Sequence, residues 1–149
     1  MSATGLEVFD KTLQTTNIWL NEISEDLGPD RQLAWAALGS VLRAVRDRVP
    51  ATLAAHLASE LPLLVRGTFY EQYQPERQPT GQRTAEEFLE TVGHGLAGRR
   101  PVGVDDATRS VLRVLSRHLP AGQCEKVRQS LPEPVRKLWP TDGGAATAH

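Results

Sequence analysis

The sequence predicts an all-α fold. Apolar residues recur at helical spacing along almost the whole chain, no stretch alternates apolar and polar residues as a half-buried strand does, and β-branched residues do not gather between turn signals. Phe9, Leu13, Thr16, Leu20, Ile23 and Leu27 trace one stripe. Ala34, Ala37, Leu38, Val41, Leu42, Val45 and Val49 trace a second, and Leu53, Leu57, Leu61, Leu64 and Val65 a third.

Local chemistry marks the ends of these helices. Thr4 with Glu7 and Thr84 with Glu87 both fit the T-x-x-E capping box, in which each side chain satisfies an orphan backbone donor of the first turn. Gly28-Pro29 separates the first helix from the second, and Pro50 separates the second from the third. Pro62 falls inside a helical pattern and is expected to kink or restart the third helix, because proline lacks the donor that the helix needs. The polar stretch EQYQPERQPTGQRT (71–84) reads as a linker centred on 75–83, and the end TDGGAATAH (141–149) reads as a disordered tail.

A chain of 149 residues with 40% hydrophobic and 23% charged residues is long enough to bury a core without disulfides or metals. Its single cysteine, Cys124, rules out an intrachain disulfide and fits a reducing compartment. No apolar run approaches the ~20 residues of a membrane span, and no signal pattern opens the chain. The expected location is cytoplasmic, with no membrane partner. A net charge of -1 argues against a dedicated nucleic-acid binder. Fourteen of the seventeen basic residues are arginine.

Residues 41–70 align without a gap on residues 111–140, with nine of thirty positions identical: Val41/Val111, Leu42/Leu112, Arg43/Arg113, Pro50/Pro120, Ala51/Ala121, Leu61/Leu131, Pro62/Pro132, Val65/Val135 and Arg66/Arg136. Unrelated segments of ordinary composition share about two. Upstream, Trp19-Leu20, Ile23 and Leu27 match Phe88-Leu89, Val92 and Leu96 with a single-residue shift. The expectation is a single domain of two duplicated three-helix units, about six main helices in all, over 1–74 and 84–140. Units this small bury too little surface alone, so the two are expected to share one core.

The blocks FDKTLQTTNIWLNEI, DRQLAWAAL, LRAVRDRVP, AAHLASELPLLVRGTFYEQYQP and EEFLETV follow one another between about Val8 and Pro140. In content and order they resemble the bacterial domain-of-unknown-function family numbered 2267. The resemblance implies an all-helical bacterial protein, thought of as stress-associated, and carries no established activity or catalytic residues.

The residues themselves point to no reaction. None of His56, His94, His118 and His149 stands three residues after a glutamate, as a di-iron bundle requires, and Cys124 has no cysteine partner for zinc. There is no G-x-S-x-G elbow and no phosphate loop. The expectation is therefore no enzyme, no metal and no cofactor. Arg109, Arg113 and Arg117 recur every four residues opposite an apolar face, with Arg43 and Arg46 on similar ground. Such a stripe could grip phosphates or an acidic helix, but more often it is solvated and paired with neighbouring carboxylates.

The segment LVRGTFYEQYQP holds more. Phe69 stands where Trp139 stands in the second half, but two further rings, Tyr70 and Tyr73, crowd the start of the linker. Arg66, Tyr70 and Tyr73 are thus the candidate recognition surface, since interfaces favour Tyr and Arg. The sequence reads as a non-catalytic helical interaction or regulatory protein, with a protein partner or self-association. The alternative is a small-molecule-binding protein with a pocket between the triplets, lined by Trp19, Trp35 and Tyr70. At least one of Trp19 and Trp35 is expected to be buried.

Overall fold

A computed structural model describes residues 3–141. In order, they form α1 (Glu7–Leu27), α2 (Arg31–Arg46), α3 (Ala51–Ser59), α4 (Leu63–Phe69), a 3-10 turn at Pro75–Arg77, α5 (Ala85–Gly95), α6 (Val104–His118), α7 (Ala121–Ser130) and α8 (Glu133–Arg136). No strand occurs among the described residues, so the fold is all-α. There are eight α-helices among the described residues instead of about six. The difference lies at Pro62 and Pro132, which end one helix and cap the next. Both sit extended, with φ/ψ of -55/149° and -55/145°. A proline also pushes the residue before it out of helical backbone, and Leu131 accordingly ends α7 at ψ 151°. The tail from Asp142 onward lies outside the described residues.

One of the two expected capping boxes is present. Thr84 Oγ1 accepts from Glu87 N at 3.0 Å, and Glu87 Oε1 accepts from Thr84 N at 3.2 Å. The Thr4–Glu7 box is not formed. α1 begins at Glu7 with Leu6 at its cap, so Thr4 lies outside the helix and turns its hydroxyl to Asp10 Oδ1 at 2.9 Å instead. At the other end of α1, Gly28 adopts φ 106°, which favours glycine.

The core is a shared one. α1 packs on α2 and on α6, while α5 packs on α6 and on α2, so each long helix touches partners from both halves. α2 meets α6 at the centre, α3 meets α7, and α4 and α8 close over α1 and α5 respectively. Val41, Leu42 and Val45 of α2 and Val111, Leu112 and Leu115 of α6 are all fully or almost fully buried. Burial at this level stabilises by roughly 1.5–3 kcal/mol for each large side chain.

Three readings of the apolar stripes are corrected. Phe9, Leu13 and Leu64 are 48%, 43% and 42% exposed. On α1 the buried face instead runs through Thr12, Thr16, Trp19, Leu20, Ile23 and Leu27. In the N-terminal half of that helix the covered positions are Thr12 and Thr16, while Phe9 and Leu13 stay exposed. No helix among the described residues is long and apolar enough to cross a membrane.

The 71–84 stretch is held against the end of α2. Gln78 donates through Nε2 to the carbonyls of Arg46 and Val49 and accepts from the Tyr73 hydroxyl. Thr80 N reaches Asp47 O at 2.8 Å, and Gln82 Oε1 accepts from Arg48 at 2.7 Å. Polar composition made this stretch read as a linker; those same polar groups tie it down.

Candidate functional site

The three residues singled out beside the 71–84 stretch part company. Arg66 turns inward: its Nε donates to Ala58 O at 2.8 Å and its Nη2 to Leu61 O at 3.0 Å, which ties α4 to the turn that follows α3. Arg136 repeats the contact on Leu131 O at 3.2 Å. Tyr73 is half-buried, with its hydroxyl on Gln78 and its ring 5.0 Å from the Arg46 guanidinium. Burial pushes its hydroxyl above the ordinary tyrosine value. Tyr70 packs edge-on against Phe69 at 5.2 Å and stays 38% exposed. Only Tyr70 of the three offers a large open surface.

Arg46 and Arg48 carry more than the sequence reading gave them. Both are almost fully buried at the end of α2. Arg46 donates to Phe69 O at 2.8 Å and Glu71 O at 2.7 Å and pairs with Asp47 at 2.8 Å. Arg48 donates to Ala44 O at 3.0 Å and lies 5.1 Å from the Phe88 ring. A buried guanidinium needs several acceptors, and the chain turns here supply bare carbonyls. Burial lowers the Arg48 value, although the side chain remains charged at any ordinary pH. No one-residue pattern announces such anchors, because their acceptors arrive from distant turns.

Two of the three arginines of α6 also find acids. Arg113 meets Asp26 at 3.3 Å and Arg117 meets Glu22 at 2.9 Å, both acids belonging to α1. Glu22 also holds His118 Nε2 at 2.9 Å, and that imidazole stacks on Trp19 at 5.5 Å.

The apolar surface gathers elsewhere, where α1 crosses α4. Leu64 N donates to Thr12 Oγ1 at 3.2 Å, fixing the crossing. Around it, Val8, Phe9 and Leu13 of α1 and Leu63 and Leu64 of α4 are each 42–55% exposed. Beside them runs a groove of about 370 Å³, walled by Val8, Leu63, Lys11 and Glu60 and floored by Trp19 and His118. Of the three residues expected to line a pocket, Trp19 lines this one. Trp35 and Tyr70 do not; Trp35 is 37% exposed on the outer side of α2. Spacing alone did not reveal this face, because Phe9 and Leu13 share a helical stripe with Leu20 and Ile23; in the structure threonine occupies the buried positions 12 and 16, and the large apolar residues beside them face outward.

Residues 16–138 match the family described as uncharacterized conserved protein (DUF2267), most of the chain. The chain belongs to the DUF2267 family. A comparison with curated proteins finds no match. The family assignment agrees with the resemblance carried by the LLVRGTFYE block, while most of FDKTLQTTN, at 9–17, precedes the matched residues. In this DUF2267 protein, burial pushes the Cys124 thiol up to about 11, so it stays protonated and is a poor nucleophile. Among the described residues, no three His, Cys, Asp or Glu side chains gather as metal ligands would.

Proposed function

We propose that the protein is a non-catalytic helical interaction module whose α1–α4 face pairs with a second copy of the chain. The observation that carries this reading is the exposed cluster of Val8, Phe9, Leu13, Leu63 and Leu64 around the Thr12–Leu64 contact. Contiguous exposed side chains of this size mark contact surfaces, whereas scattered ones do not. Charge supports a copy of the same chain as the occupant. Lys11 and Glu60 border one groove, and a two-fold axis through it brings each onto the opposite charge of the other copy. Tyr70, at the far end of α4, extends the same helix's open surface.

Sedimentation across about 1 to 500 µM, with Phe9→Asp/Leu64→Asp beside the parent protein, tests the reading. Concentration-dependent dimerisation that the variant loses, at unchanged melting temperature, supports it. A parent protein monomeric throughout overturns it.

The second reading, a small molecule seated between the two halves, is favoured by the groove floor, where Trp19 of the first half stacks on His118 of the second. A ligand there would quench Trp19 fluorescence and protect the monomer from unfolding.

We also infer that the chain arose by internal duplication. Three features support it. The register of the sequence match places prolines at 50, 62, 120 and 132, and each caps a helix. Arg66 and Arg136 close the same kind of loop. The pairings of α1 with α6 and of α5 with α2 exchange the first helix of each half for the other's.

A further inference from the structure

We propose that the cleft between α6, α7 and α8 binds an oligophosphate anion: a free triphosphate or the phosphate chain of a nucleotide. This cleft, of about 620 Å³, shares no lining residue with the α1–α4 groove, and the proposal is independent of self-association. Five cations line it, Arg109 and Arg113 of α6, Arg128 of α7, and Arg136 and Lys137 at the end of α8, against a single acid, Glu133.

The fold uses this charge incompletely. Arg113 is held by Asp26 at 3.3 Å, and Arg128 by Glu125 at 3.2 Å. Arg136 donates to Leu131 O at 3.2 Å, yet its Nε is buried with no partner. Arg109 and Lys137 have no hydrogen bond or ion pair among the described residues. Like charges gathered around one cleft repel each other, and an anion relieves that cost.

The sequence register shows that this charge is particular to the second half. Extended by a few residues, the match that pairs 41–70 with 111–140 places Arg109 opposite Gly39, Arg128 opposite Ala58 and Lys137 opposite Gly67. Three small residues of the first half are thus three cations in the second. The acceptors change as well. Arg43 rests on Thr68 Oγ1 at 2.7 Å and Glu71 at 3.2 Å, whereas Leu138 and Thr141 stand at those positions in the second half and offer Arg113 no carboxylate. A stretch that merely needed solubility would scatter its cations. Here they converge from three helices onto one concavity.

The chemistry of the walls selects phosphate. Guanidinium forks match phosphate oxygens two at a time, and the lysine adds a mobile point charge. The size fits a small-molecule site, and five cations spread over it call for several charges on the ligand, not one. Past Arg128 the cleft continues into a recess of about 240 Å³ bounded by Ser116, Cys124 and Trp139. That recess has room for an organic group attached to the phosphates.

Calorimetric titration of the full chain at low salt with sodium triphosphate, ATP, inorganic phosphate and a 20-nucleotide single-stranded RNA tests the proposal. Triphosphate is expected to bind with one site per chain, and more tightly than inorganic phosphate. Arg109→Ala and Lys137→Ala should each weaken it roughly tenfold, the usual effect of losing one charged hydrogen bond. Neither should shift the ligand-free melting temperature, since neither side chain has a hydrogen bond or ion pair among the described residues. Glu133→Gln should tighten binding, which a purely structural role for these residues does not predict. Equal affinity for ATP and triphosphate identifies the phosphate chain as the whole ligand, and tighter ATP binding places the nucleoside in the recess. No saturable triphosphate binding up to about 1 mM, unchanged affinity in both alanine variants, or tighter binding of the RNA than of triphosphate would each overturn the proposal.

Discussion

Gly95 lies against Ser40 so closely that a Cβ at position 95 would stand 1.9 Å from Ser40 Oγ and 2.7 Å from Ser40 Cβ. This contact sets how near α5 approaches α2. Gly95→Ala would ordinarily stabilise a helix by up to about 1 kcal/mol. Here rotation of the serine cannot clear the clash, and overpacking of about 1–3 kcal/mol should dominate. Urea melts should show net destabilisation by Gly95→Ala. They should also show a favourable coupling when it is combined with Ser40→Gly, because the two residues touch.

Trp19 should carry a large share of the stability. It is 2% exposed, so Trp19→Ala should cost on the order of 3–5 kcal/mol. Trp35, 37% exposed, should cost less than about 1 kcal/mol when truncated in the same way. Comparable losses in chemical melts of the two variants would reverse this assignment.

Gln78 should govern the order of the 71–84 stretch. Its side chain serves the Arg46 and Val49 carbonyls and the Tyr73 hydroxyl together. Gln78→Ala leaves those groups without partners at a cost of about 1–3 kcal/mol. Limited proteolysis should then cut between residues 71 and 84 faster than in the parent, while Arg66→Ala should loosen the α3–α4 turn and leave that stretch protected.

The capping box of α5 should make stability fall on the acid side. Hydrogen bonds from the Thr84 backbone and then its side chain hold the Glu87 carboxyl below its ordinary value of 4.5. A depressed folded value means that the contribution is complete above pH 4.5 and fades as the pH drops through the folded value. The stability difference between the parent and Glu87→Gln should therefore be constant near neutrality and shrink below pH 4.5. Thr84→Ala should cost about 1 kcal/mol at pH 7. A difference that stays flat down to pH 3 would mean that the box does not form in solution.

The fold class was legible because it is a matter of local chemistry. The helices marked by apolar spacing, the Gly28-Pro29 and Pro50 breaks and the Thr84–Glu87 box depend on residues close together in the chain, and these helices, breaks and box are present, although Phe9, Leu13 and Leu64 leave their stripes for the surface. Thr4–Glu7 fits the same T-x-x-E spacing as Thr84–Glu87, yet α1 starts too late to use it. Arg66 looked like a recognition residue because an arginine beside two tyrosines resembles an interface. The backbone brings Ala58 and Leu61 carbonyls within its reach, and it spends its hydrogen bonds there.

What the sequence determined by itself was the set of helices, their breaks and the apolar residues available to be buried, since backbone donors, proline rings and side-chain spacing act over a few residues. Which of those apolar residues went inside was decided by the tertiary structure. Phe9 and Leu13 share a stripe with Leu20 and Ile23, but α2 and α6 cover only the latter pair. Likewise the buried guanidinium of Arg46 and the crowd of cations around Arg109 and Lys137 exist only because residues far apart in the chain converge. Burial and charge are properties of neighbourhoods, and a neighbourhood is made by packing.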